Sequence, residues 1–199
     1  MKLQRGFTLT ELIIVIAIAA ILAALAVPSF RDMVQDNRVT SATNGFIAHL
    51  SLARSEAIAR RTGVALCRSA DPNAIAPVCG GGAANNWSDG WLIFVNVGNE
   101  TPPTFDGGTG AGGVDILLKL GEGLTGDLQL ISNGDGNTHI EFNLDGTSTI
   151  PIGNTASFAL CDGRNPPEDF GRQIDIDELG RSDLIKADAN NPLVSCTAP

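Results

Sequence analysis

The sequence predicts an α+β protein: a long N-terminal α-helix, half membrane-spanning and half amphipathic, packed on an antiparallel β head of one or two sheets. Three observations predict it. Residues 12–27 carry no polar side chain at all. Beyond them an apolar stripe recurs at steps of mostly three and four as far as Ile58. From residue 63 onward the chain changes to short strand-like segments separated by turn pairs, with no further helical pattern.

The first element is the apolar helix. From Phe7 to Val27 it would extend about 30 Å at about 1.5 Å per residue, which matches the hydrocarbon thickness of a bilayer. Lys2 and Arg5 precede it and would stay on the cytoplasmic side, placing everything after Val27 outside the cytoplasm. One carboxylate, Glu11, stands just before the run. Such a group in a membrane helix is costly and wants a cationic partner. A cut between Gly6 and Phe7 would supply one, the new α-amino group of Phe7. Glu11 is expected to point away from its own terminus and to meet that of a neighbouring copy displaced by about a turn. A secretory signal peptide cleaved after Ala24-Leu25-Ala26, or a permanent single-span anchor, fits the same composition. Neither accounts for the glutamate.

Pro28 then removes one hydrogen bond and bends the axis, but the helical pattern continues. Phe30, Met33, Val34, Ala42, Phe46, Leu50, Ala53, Ala57 and Ile58 form one buried stripe, as in an amphipathic helix that packs on a sheet. Gly63 is the expected stop, with Arg60 and Arg61 favourable in the last turn.

The strand segments are 63–68, 91–97, 114–120, 127–132, 139–145, 157–162 and 172–177. Ile140, Phe142 and Leu144 alternate with polar residues, as do Ile174 and Ile176, so each set faces one side. Residues 91–97 form a continuous apolar run, too short for a typical helix. Asn133-Gly134 and Asp145-Gly146 supply turns. Strands so spaced with no intervening helix argue for antiparallel sheets. Residues 69–90, with glycines at 80–82, and 98–113, with Pro102-Pro103 and six glycines, read as exposed loops. The organisation is therefore 1–6 leader, 7–28 membrane helix, 29–62 amphipathic half and 63–199 β-rich head.

Charge divides along the same line. Residues 1–61 carry seven Lys/Arg and four Asp/Glu, a balance of +3; the remainder carries six and eighteen, a balance of −12. An acidic head disfavours general nucleic-acid binding. Four cysteines, Cys67, Cys79, Cys161 and Cys196, are present without a C-x-x-C pair, and the only histidines are His49 and His139, so no zinc site is expected. An even count in an exported domain suggests disulfides. Three pairings exist; the expected one is Cys67–Cys79 with Cys161–Cys196, each worth about 2–4 kcal/mol, the second clipping the tail to the body.

Other motifs dissolve on inspection. Residues 108–113 fit G-x-G-x-x-G but follow prolines and precede a strand pattern, where a dinucleotide site needs a strand before and a helix after. Asn133, Asp135 and Asn137 resemble the start of a calcium loop, yet Thr138 stands where its glycine belongs and Leu144 where its glutamate belongs. No serine, cysteine or histidine is arranged as a nucleophile with its base. The reading is of a protein that is not an enzyme and holds no cofactor or metal. His49 and His139 are expected to be structural or solvated, and Trp87 and Trp91 to serve the core.

Gly6, Phe7, Thr8, Leu9 and Glu11, leading an apolar helix, closely resemble the G-F-T-L-x-E leader of type IV pilins and pseudopilins. The likeness extends through Ala65 to Ser69, Trp87, Gly90, Trp91, Phe94, Phe142, Gly146, Gly180 and Arg181 to the GspH/FimT-like branch of minor pilins (the FimT/FimU type). It implies the pilin fold. It also implies that a prepilin peptidase cuts after Gly6 and methylates Phe7, and that Glu11 is the assembly carboxylate. Other pilins would be the partners. The implied location is the bacterial inner membrane, crossed once with the head in the periplasm, and the filament after assembly. The implied function is that of a minor pilin in the initiation or tip complex of a type IV pilus. Two alternatives accompany it: a minor pseudopilin of a type II secretion system, and a DNA receptor for natural transformation, in which Arg181 and Lys186 would contact phosphate.

Overall fold

A computed structural model describes residues 8–83, 85–98, 101–105, 114–134, 136, 138–164 and 170–186. Helix α1 spans Leu9–Arg60, its assignment continuing through Pro28. The chain divides into two compact units, one ending at Arg38 and one beginning at Val39.

In the first unit the described residues are helical apart from Thr8, and the large apolar side chains from Leu9 to Val34 are all exposed. The segment has the length and composition to cross a membrane, with a mean hydropathy of 2.8. Phe30, Met33 and Val34 belong here and are exposed, so the expected stripe does not begin with them.

In the second unit the stripe begins at Val39. Val39, Thr43, Phe46, Leu50, Ala53 and Ala57 are buried, at alternating steps of four and three, which keep them on one face. Ile58, expected in this stripe, falls off it by about 100° and is exposed. Thr43 fits an apolar seam because its hydroxyl donates to the Val39 carbonyl at 2.7 Å. The helix stops before Gly63. Arg61 adopts φ 55° and the Thr62 amide donates back to the Ala57 carbonyl at 3.3 Å, the 6→1 closure usually built on glycine.

Among the described residues eight strands follow, in two four-stranded antiparallel sheets. One contains β1 (Val64–Arg68), β2 (Gly90–Val95), β3 (Ile116–Glu122) and β5 (His139–Phe142), in the order β3-β2-β1-β5. The other contains β4 (Gln129–Gly134), β6 (Ala156–Cys161), β7 (Arg172–Ile176) and β8 (Ser182–Lys186), in the order β4-β6-β7-β8. The inner faces of both sheets join the helix stripe in one core: Leu66, Ile93 and Phe142 from the first, Phe158, Leu160 and Ile174 from the second. The outer face of the first sheet forms a smaller core of Ala65, Cys67, Leu92 and Phe94 beneath Cys79 and Phe105. Burial on both faces is why 91–95 reads as an unbroken apolar run.

Two expectations are corrected. The strand expected over 139–145 ends at Phe142. Asn143 opens a turn there: its amide donates to the Thr147 carbonyl at 2.7 Å and its carbonyl accepts from Gly146 at 2.8 Å. Leu144 is carried to the surface. The second correction is an unexpected strand, β8. It has only two apolar residues in five and pairs with the edge of β7, so its period is faint.

Candidate functional site

Glu11 lies in the first turn of α1, and its side chain does not point away from the terminus as expected. Side chains on a helix tilt toward its N-terminus, and this one turns back to Thr8. Thr8 donates to Glu11 Oε2 from its backbone nitrogen at 2.9 Å and from its hydroxyl at 2.8 Å, while the Glu11 amide donates to Thr8 Oγ1 at 3.2 Å. This is a capping box, legible in Thr8-x-x-Glu11 and missed in the sequence reading. Oε1 has no hydrogen bond among the described residues. Gly6 and Phe7, the expected cleavage residues, lie outside the described residues.

In the second unit, the family-type residues converge on the helix. Trp87 is buried and its indole donates to Ser132 Oγ and to the Gly136 carbonyl, both at 3.1 Å. Trp91 is buried beside Phe46, with ring centroids 5.0 Å apart and edge-on, and donates to His49 Nδ1 at 3.0 Å. An imidazole accepting that bond must be neutral at Nδ1. Burial, with a smaller contribution from Lys119, pushes its pKa down accordingly. Both tryptophans thus serve the core, as expected. At the other end of the head, Gly146 and Gly180 let three segments touch. A Cβ on Gly146 would lie 2.7 Å from Ile58 Cδ1, and one on Gly180 would collide with the Gly146 carbonyl and press on Phe142. Both glycines have positive φ, 83° and 70°. Arg54 ties this junction to the helix by donating to the Leu179 carbonyl at 3.0 Å.

Cys67 and Cys79 form a disulfide, which fastens the 69–90 connection over the outer face of the first sheet. Cys161 is disulfide-bonded; its expected partner, Cys196, lies outside the described residues. Arg181 and Lys186 flank and end β8, about 17 Å apart along an extended strand. Arg181 is held by Asp177, which accepts from its Nε at 2.8 Å and its Nη2 at 2.6 Å. Among the described residues no group of three His, Cys, Asp or Glu side chains could hold a metal ion.

A family model described as Type II transport protein GspH matches residues 42–180, and one described as the prokaryotic N-terminal methylation motif matches residues 1–27. The chain belongs to the GspH family. Its members are structural proteins of the pilin type, not enzymes. Residues matching a fimbrial protein of Pseudomonas aeruginosa are 47% identical over 55 residues, which is 28% of this chain and 36% of that protein. The chain thus spans about a third of that relative's length. The type IV major fimbrial protein FimA of Dichelobacter nodosus is 28% identical over 126 residues, 63% of this chain and 72% of that one. The crystal structure of the P. aeruginosa type IV minor pilin FimU superposes with a TM-score of 0.54 over 81% of this chain and 96% of that one, at 23% identity. That likeness shows the fold: a long helix on two antiparallel sheets.

Proposed function

We propose that this GspH-family chain is a minor pilin of a type IV pilus, cut between Gly6 and Phe7 and methylated at Phe7. It would wait in the inner membrane with its head in the periplasm, then join the initiation or tip complex through Glu11. The observation that carries this is the carboxylate itself, at the start of an apolar helix that fits a bilayer, with Oε1 unpartnered among the described residues. In a membrane such a group calls for a cation, and the methylated amine of a neighbouring Phe7 supplies one. Burial in a filament replaces lipid by neighbouring helices at little hydrophobic gain, so polar pairing and packing select the register.

The test is coexpression with a prepilin peptidase. Intact mass should fall by residues 1–6 and rise by one methyl, and Glu11→Ala should reduce surface pili without blocking cleavage. Cleavage after Ala26 would sink the reading, because it removes Glu11 with the helix.

A second reading, a pseudopilin of a type II secretion system, is favoured by the description of the matching family. Deletion of the gene would then abolish secretion of folded exoproteins and leave pili intact. The DNA-receptor reading is weakened by the −12 balance beyond residue 61 and by the engagement of Arg181 with Asp177.

A further inference from the structure

Between the second half of α1 and β8 opens a groove of about 380 Å³, at the small end of the range for small-molecule sites. Ile58, Phe142 and Ile176 give it apolar walls, and Ser51, Arg54 and Ser182 bring polar atoms to it. Arg54 is the unusual member. Arg60, Arg164 and Arg181 are each paired with a carboxylate, whereas Arg54 forms no ion pair among the described residues. A guanidinium carries five N–H donors and is always charged. Here one donor is used, by the bond from Nη2 to the Leu179 carbonyl at 3.0 Å. Nε is shut off from solvent without a partner; it lies where a Cβ on Gly146 would come within 3.2 Å of it. A buried donor left unmade is costly and calls for an acceptor. Two further donors stand by. Ser51 is three residues before Arg54 and so on the same helix face, and neither its hydroxyl nor that of Ser182 has a hydrogen bond among the described residues. Ser55, also on the groove, spends its proton on the Leu52 carbonyl at 2.9 Å.

We infer that this groove binds a small monocarboxylate with a branched aliphatic or aromatic body of amino-acid size. The carboxylate meets Arg54 and the two serine hydroxyls, and the body lies on Phe142 and Ile176. A single charge is what the site can neutralise, and a carboxylate matches a guanidinium in shape. A phosphate dianion would keep an uncompensated charge beside apolar walls, in a head whose balance beyond residue 61 is −12. A free acid and the last residue of a peptide present the same chemistry. The inference goes beyond the proposed function and holds for a pilin or a pseudopilin alike.

The test uses the full chain in lipid nanodiscs, carbon-13 labelled at its isoleucine methyls. N-acetyl-leucine should shift the Ile58 and Ile176 resonances saturably, with a Kd below ~1 mM, and leave Ile93, in the core and outside the groove, in place. N-acetyl-leucinamide keeps the body without the charge, and acetate keeps the charge without the body; each should bind at least tenfold more weakly. Arg54→Gln should weaken N-acetyl-leucine at least tenfold with the Ile93 signal and the Cys67–Cys79 disulfide retained. Should that variant fail to fold, Ser182→Asp carries the test: it fixes a carboxylate in the groove and should weaken binding at least tenfold by occupying Arg54. No saturable shift, equal binding of the amide, an equal response to inorganic phosphate, or full affinity in a folded Arg54→Gln or Ser182→Asp variant would overturn the inference. The peptide Gly-Gly-Ser-Leu distinguishes the sources. Binding tenfold tighter than N-acetyl-leucine assigns the site to a chain terminus, and equal or weaker binding assigns it to a free acid.

Discussion

Gly121→Ala should loosen the centre of the head more than its one added methyl suggests. Trp91 lies flat across Gly121: a Cβ there would come within 2.5 Å of the indole Cδ1 and overlap Cε2 and Nε1. The ring cannot slide aside freely. Its N–H is bonded to His49 and its edge is packed against Phe46. Forcing a methyl into such a contact costs about 1–3 kcal/mol, and the displaced Trp91–His49 hydrogen bond adds about 0.5–1.5 kcal/mol. A total of about 1.5–4.5 kcal/mol should lower the melting temperature of residues 29–199 by roughly 3–18 °C, followed by tryptophan fluorescence and near-ultraviolet circular dichroism. In a Trp91→Leu background the same glycine substitution should cost little, since the two positions are in contact and their effects cannot add. A melting temperature within about 2 °C of wild type, or a full penalty in the Trp91→Leu background, would refute the argument.

Further predictions follow from single residues. Arg61 closes the helix in the left-handed region, so Arg61→Gly should raise stability by about 0.5–1 kcal/mol, read in chemical denaturation. Glu141 is buried and accepts from Asn96 Nδ2 at 2.8 Å; burial raises its pKa, the Asn96 bond opposing. The folded state therefore holds this proton over a range where the unfolded chain has lost it. Stability falls as pH rises from the ordinary carboxylate range through the folded-state value. Glu141→Gln should remove that fall, so its gain over wild type appears at neutral pH and vanishes below about pH 4; a gain only at low pH would contradict the sign. Arg181→Ala with Lys186→Ala should leave DNA binding by residues 29–199 unchanged and negligible in an anisotropy titration near physiological salt.

What the sequence made legible follows from how strongly each period is written. The helix was readable because one face repeats over many turns, and β2 because burial on both faces leaves no polar residue to break the run. Less was visible where one polar residue decides the outcome. Asn143 ends β5 by bonding across its own turn, which cannot be separated from alternation by counting apolar positions. Thr43 counts as polar in a pattern, but its hydroxyl is spent inside the helix, so the start of the buried stripe was misplaced toward Phe30. The disulfide between Cys67 and Cys79 was expected from spacing. The junction of Gly146, Gly180 and Arg54 was not, because it unites residues about 35 and 90 positions apart and only the folded sheets bring them together.

The proposed function gives Glu11 two roles that one substitution can separate. As the N3 residue of a capping box it satisfies donors at the start of its helix, and in the proposed assembly its carboxylate would offer a charge to a neighbour. A capping box accepts glutamine as well as glutamate. Glu11→Gln therefore keeps the hydrogen-bonding partner of Thr8 and discards the charge, while Glu11→Ala discards both. If the cap were the reason for the residue, Glu11→Gln would assemble like wild type and Glu11→Ala would fail. If the charge sets the register, the two should fail alike, since a neutral amide facing a methylated ammonium loses about half the strength of a charge-assisted bond. The expected result is equal loss of surface pili in both variants, with cleavage between Gly6 and Phe7 retained in both by intact mass. Wild-type piliation by Glu11→Gln would leave the carboxylate with no role beyond its own helix.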